Sequence, residues 1–297
     1  MRTIILATAA LASVMMAGTA LSADVAQEPQ GLVLTGLFES WVGYTFQTDH
    51  EGNADRSATD EEFLSFGGSG KVSLPLGTSF SWQSDFYADA EVLDEDALFK
   101  QYAASVVSGQ HLSWRDPSIG LLGIFGGGGI TAYHDEHDAR LYFVGAEGQL
   151  YLENFTFYLQ GGFLDAKDEE DTDALHDAVF VRGVGRFFLS DTSMLQAEGF
   201  YANGRQDNDD KPMEAVGWGA RFDTALFESP ATVFAAYRGY HFDNDPPGDV
   251  GSFTEHRIMV GLNYNFSQPT LKSNDRTGAT LDLPSFGRIV GGGATID

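Results

Sequence analysis

The sequence predicts an all-β chain, a transmembrane antiparallel up-and-down β-barrel of about 12 strands, from three observations. First, Thr254–Phe266 (TEHRIMVGLNYNF) alternates strictly. His256, Ile258, Val260, Leu262, Tyr264 and Phe266 fall on one face, and Glu255, Arg257, Gly261, Asn263 and Asn265 on the other, with Met259 the apolar exception. Successive side chains of a strand point to opposite faces, so this is a strand with one apolar and one wet side, long enough to cross a bilayer at a tilt. Second, connections between such stretches alternate between long acidic segments and short turns. Third, past the N-terminus no apolar run is long enough for a spanning helix, and Ile119–Ala132, the longest, is broken by glycines.

The strands follow in order. Gly31–Phe46 sets Leu34, Phe38, Val42 and Tyr44 against Thr35, Glu39 and Thr45. Glu62–Leu76 and the stretch from Phe80 follow, the latter with Phe80, Trp82, Phe86 and Ala88 opposite Gln83, Asp85, Tyr87 and Asp89. Tyr102–Trp114, Ile119–Tyr133 and Ala139–Tyr151 are the fourth to sixth. The seventh opposes Phe155, Phe157, Leu159 and Phe163 to Thr156, Tyr158 and Gln160. The eighth opposes Val179, Val181, Phe187 and Leu189 to Arg182 and Arg186. Met194–Asn203, the stretch with Val216, Trp218, Ala220 and Phe222, and Thr232–Phe242 lead to the twelfth, Thr254–Phe266. An even strand number suits a single-chain barrel, with the long acidic loops extracellular and the short turns periplasmic. Aromatic residues cluster near strand ends (Trp41, Tyr44, Trp82, Trp114, Tyr201, Trp218, Tyr264, Phe266), where amphipathic rings favour a membrane boundary.

Residues 1–23 read as a cleaved signal peptide: Arg2, an apolar core from Ile4 to Ala17, then small residues, with cleavage after Ala23 preferred over Ala20. Residues 24–30 are then a short periplasmic segment, 31–266 the outer-membrane barrel and 267–297 a periplasmic C-terminal tail. Residues 24–30 are too few for a passenger domain, which weighs against an autotransporter. The tail is too polar between Ser267 and Thr280 for another strand. It reads as a flexible end, with a plug or partner-binding role for Ile289–Ile296 as the alternative. An assembly signal at Tyr264 and Phe266 would then be internal.

A formal net charge of −26 argues against a phosphate-binding basic face, so no nucleic-acid partner is expected. The absence of Cys excludes disulfides and thiolate metal sites. The expected localisation is the outer membrane of a Gram-negative cell. The expected partners are its lipid and lipopolysaccharide, the barrel-assembly machinery, and small solutes or ions, with oligomerisation open.

The segments HLSWRDPSIGLLGIFGG, GAEGQLYLENFTF and LKSNDRTGATLDLP resemble porin-like outer-membrane proteins of alphaproteobacteria. The resemblance extends over most of the mature chain. It implies the barrel and its location, and names no solute and no catalytic residue.

The wet face is expected to line the lumen. Its mid-depth charges are Glu39, Asp85, Glu147, Arg182, Arg186, Glu198, Arg221 and Arg238, with Arg257 nearer the mouth. Arginines gather on strands eight to eleven, and most acids on one, three and six. That arrangement suits a field across a porin-like constriction for passive diffusion of ions or small hydrophilic solutes, with weak selectivity and a cation bias at low salt. The same groups could instead fill a closed barrel as ion pairs. The alternative function is a non-conducting structural or adhesive barrel displaying acidic loops. Among the histidines near predicted outer loops, His134 and His137 (HDEHD) are candidate ligands for zinc or copper, although a solvated charge run is the simpler reading. No cofactor and no enzymatic activity are expected. His111 and Ser113 share a strand face without an evident third catalytic partner.

Overall fold

A computed structural model describes residues 33–48, 62–92, 102–133, 137–168, 174–206, 211–227, 229–244 and 252–291. Twelve strands form one closed antiparallel barrel. They are β1 (Thr35–Thr48), β2 (Glu62–Leu76), β3 (Phe80–Val92), β4 (Tyr102–Asp116), β5 (Gly120–Tyr133), β6 (His137–Leu152), β7 (Phe155–Asp168), β8 (Leu175–Ser190), β9 (Ser193–Gln206), β10 (Pro212–Ala225), β11 (Ala231–Asn244) and β12 (Phe253–Phe266). Each pairs with its sequence neighbours, and β1 pairs with β12 from Gly36↔Phe266 to Thr48↔Thr254. The ladder is regular except at β8–β9, whose register shifts between His176/Val179 and Phe188/Ser190.

Alternation decides the faces. Val42, Leu64, Phe80, Ile124, Val144, Leu159, Phe163, Val181, Leu195, Val260 and Leu262 are exposed on the outside. At the alternate positions of the strands, Gln83, Asp85, Glu147, Gln160, Arg182, Arg186 and Asn263 are buried inside. This inverts the soluble pattern, in which apolar groups avoid the surface. Tyr44, Trp82, Trp114, Tyr201 and Tyr264 are outward, as the sequence suggests. Trp41 is not. It shares the inner face with Glu39 and Thr45 and lies under the Arg257 guanidinium, 5.4 Å from its carbon to the ring centroid.

The expected periplasmic tail is corrected by the structure. After Phe266 the chain takes a left-handed conformation at Ser267 (φ 64°) and turns back into the barrel. Thr270 then caps α1 (Leu271–Thr277) through a capping box with Ser273. An irregular run, 278–285, follows, and then α2 (Phe286–Gly291). The plug of the alternative reading is present, but it occupies Leu271 to Gly291 rather than Ile289–Ile296, of which 292–296 lie outside the described residues. Lys272 and Arg276 meet Asp191, Asn154 and the carbonyls of Leu152 and Phe155 at the short-turn end. Arg288 meets Glu91 and Glu255 toward the long-loop end. The segment thus runs up the lumen, with α2 resting on β4, β5, β6 and β8. Residues 1–32, including the expected signal peptide, lie outside the described part of the chain.

The face assignment predicts a sharp asymmetry. Val260→Arg, at the middle of the outer face of β12, should cost about 2–4 kcal/mol of folding free energy in lipid bilayers. Ser69→Arg, beside the lumen cavity and opposite Glu39, should cost far less. Urea titration of vesicle-folded protein, read by gel mobility, measures both.

Candidate functional site: the plugged lumen

The inner surface has two halves. Toward the loop end, inward residues of β4 to β12 form an apolar cluster that includes Phe125, Leu141, Phe143, Leu164, Phe180, Phe200, Met213 and Phe242. Into it project Phe286, Ile289 and Val290 of α2, each fully buried. The Phe286 ring lies 4.4 Å from that of Phe143 and 5.0 Å from that of Phe180, edge-on to the latter. Burying a side chain of this size is worth about 1.5–3 kcal/mol, so these three residues are a substantial anchor. The fit is close. A Cβ on Gly287 would lie 2.3 Å from the Ser105 Cβ, and one on Gly109 of β4 would lie 2.7 Å from Leu283.

Toward the turn end, the plug is held by polar groups. Gln83 donates to the Leu281 carbonyl at 2.8 Å, and Gln160 to the Asp282 carbonyl at 2.8 Å. Arg115 donates to the Gly278 carbonyl at 2.7 Å. Arg186 pairs with Asp275 at 2.8 Å, and Arg182 with Asp282 at 3.0 Å. The Tyr158 hydroxyl donates to Glu147 at 2.6 Å beneath the plug.

Each lumen charge expected from the sequence faces inward, and the structure pairs them. Glu39 meets Arg221 at 2.7 Å across the seam, and Arg221 also meets Asp223 at 2.8 Å. Glu198 lies between Arg182 (2.6 Å) and Arg238 (3.1 Å). Arg257 meets Asp89 at 3.2 Å and also Glu91. His111 stands between Asp85 (3.5 Å) and Glu147 (2.8 Å), stacked on Phe125. The expected separation of arginines from acids across an open lumen is thus replaced by contacts between them and with the plug. His111 and Ser113 do not pair with each other; Ser113 bonds Ser81 at 2.9 Å.

The mid-depth charges named from alternation left out Lys71, Glu91 and, near the loop end, Glu255, and the plug residues Asp275, Asp282 and Arg288 lie beyond the wall strands. A usable signal did exist. The polar stretch from Leu271 to Pro284 carries charges and is followed by the apolar Phe286, Ile289 and Val290, a pattern suited to a mixed lumen. Of the candidate metal ligands, His134 and the side chain of His137 lie outside the described residues. Among those described, Asp165, His176 and Asp177 bring ligand atoms within 4.8 Å of one another at the loop end. Tyr264 is exposed at the end of β12, and Phe266 stacks on Phe38 at 5.7 Å.

Between the plug and the wall made by β1–β3 and β8–β12 a cavity of about 160 Å³ remains. Glu39, Lys71, Asp85, Arg221, Asp223, Arg238 and Arg257 are among its lining residues.

No family model matches the sequence. No curated protein matches it either. Solved structures do resemble the barrel. An outer membrane channel from Pseudomonas putida F1 matches with a TM-score of 0.57 at 12% identity, over 82% of this chain and 100% of that one. The translocator domain of the autotransporter NalP from Neisseria meningitidis gives 0.46 at 13% identity, over 88% and 98%. The KdgM porin gives 0.41 at 10% identity, over 76% and 99%. At such identities the likeness is one of fold: the chain has the closed-barrel architecture of outer-membrane channels.

Seating of α2 depends on the missing side chain of Gly287. Gly287→Val should unseat the last turn of the plug, so that trypsin cleaves at Arg276 and Arg288 in detergent-solubilised protein whose wild-type tail resists. The masses of the fragments report the outcome.

Proposed function

We propose that the chain is a channel of the Gram-negative outer membrane that passes ions and small hydrophilic solutes passively, with its own C-terminal segment keeping the lumen narrow. The observation that carries this reading is the polar cavity of about 160 Å³ left beside the plug, bounded by charge of both signs within a barrel whose outer surface is apolar. A polar lumen behind an apolar exterior is the arrangement of water-filled membrane barrels. In this reading residues 1–23 are a cleaved export signal. The outward apolar residues and the aromatics at strand ends contact lipid and lipopolysaccharide, and the assembly machinery reads Tyr264 and Phe266 within the chain. The reading includes no catalytic step. The short turns are periplasmic, and the plug enters from that side.

A second reading, a non-conducting barrel that displays acidic loops, is favoured by the apolar seal around Phe286, Ile289 and Val290. Planar-bilayer recording separates the two. The channel reading expects small, steady conductance from the full chain and a severalfold increase from Gly287→Val. Silence from both proteins, with folding verified by gel mobility, would leave only the display barrel.

Orientation has its own test. The chain has no Cys, so Gly291→Cys places a single thiol at the loop-end tip of the plug. A membrane-impermeant maleimide added to intact cells should label it. Labelling only after the outer membrane is permeabilised would reverse the topology.

A further inference from the structure

The plug places two carboxylates on guanidinium groups of the wall. Arg182 donates from Nη1 and Nη2 to the two oxygens of Asp282, at 3.0 and 3.2 Å. Arg186 donates from Nη1 to Asp275 at 2.8 Å, and its Nη2 lies 3.6 Å from Asp282. One guanidinium therefore faces both carboxylates. The Thr156 hydroxyl donates to the second oxygen of Asp275 at 2.6 Å. The Tyr158 ring lies alongside both arginines, 5.4 Å from Arg186 and 6.0 Å from Arg182.

Arg115 adds an independent observation. It lies near the turn end of β4 and is only 8% exposed. Its Nη1 bonds the Gly278 carbonyl, while its buried Nε and Nη2 have no partner. A buried guanidinium is costly unless an anion and hydrogen bonds satisfy it. Its fork matches a carboxylate held by two parallel bonds. A wall built only to seat a peptide could use apolar contacts, as the α2 end does. Here three arginines, one on β4 and two on β8, meet the plug; two hold the chain's own carboxylates and the third keeps two buried donors without a partner.

We propose that Arg115, Arg182 and Arg186 are subsites for the carboxylates of an anionic solute, and that Asp275 and Asp282 occupy two of them in its place. The chemical class is a small di- or polycarboxylate, because two carboxylates facing Arg186 need a ligand that carries both. Such a solute and the plug compete for the same guanidiniums. The inference rests on the channel reading for its role in transport, while the binding site itself does not need it.

The test uses the full chain with Asp275→Asn and Asp282→Asn together, and Asp282→Asn alone as the milder variant; gel mobility confirms that each barrel has folded. Sodium succinate is the probe, with sodium chloride at equal ionic strength as control. By calorimetry the double variant should bind succinate roughly tenfold more tightly than wild type, since the charged competitor has gone. Succinate should also raise its unfolding temperature where chloride does not. Adding Arg182→Gln and Arg186→Gln should abolish both effects. Equal responses to succinate and chloride, or succinate binding that survives loss of the two arginines, would overturn the site. Bilayer recording keeps the two readings apart. Conductance without preference for succinate over chloride, together with no succinate binding, sinks the anion site and leaves the channel. Silent bilayers with succinate binding intact sink the channel and leave the site.

Discussion

The pairing of β1 with β12 is the constraint on which the rest of the molecule depends. The outer face is largely apolar, so an open sheet would leave two rows of backbone donors and acceptors beside groups that cannot bond them. The thirteen residue pairs from Gly36↔Phe266 to Thr48↔Thr254 remove both edges at once. Closure fixes the strand number, hence the width of the interior, and it ends the wall at Phe266. Whatever follows must leave the sheet. The left-handed turn at Ser267 sends it inward.

Twelve strands fall between the eight whose inward side chains fill the interior and the sixteen or more of wide porins, so the wall alone leaves space unfilled. The plug occupies much of the difference, and two kinds of force hold it. Leu281, Phe286, Ile289 and Val290 are fully buried, each worth about 1.5–3 kcal/mol as an upper estimate. The ion pairs of Asp275, Asp282 and Arg288 are buried as well, and for such pairs the attraction roughly offsets the loss of hydration. Apolar burial therefore holds the segment in place, and the charges decide where along the wall it stops. This division separates stability from specificity: the carboxylates on Arg182 and Arg186 add little net energy and so suit an exchangeable role.

Much of the wall was legible because each strand must be apolar outside. Val179, Val181, Phe187 and Leu189 against Arg182 and Arg186 leave β8 little choice of face, and the same holds for β7 and β12. The expected strand ends fall within a few residues of those observed; β1, expected at Gly31–Phe46, spans Thr35–Thr48. The misreadings are equally specific. Trp41 was grouped with the outer aromatics by type, but its parity places it with Glu39, and Gly67 on β2 leaves room beside its ring. Phe125, Phe143 and Phe180 face inward even though their neighbours are also apolar, so near the loop end alternation carries little contrast. Strand parity turns them into the lumen, where α2 covers them.

The sequence by itself determined the barrel, its strand number, its faces and the residues that charge its lumen, because those properties follow from a period of two along each strand. It did not determine which charges meet, since a wall residue's partner depends on closure and on the segment within. Only the tertiary structure decided that residues 271–291 lie inside rather than beyond the barrel. A polar, Gly- and Pro-containing stretch has no periodicity of its own, and it becomes ordered by filling a space that exists only after β12 has met β1.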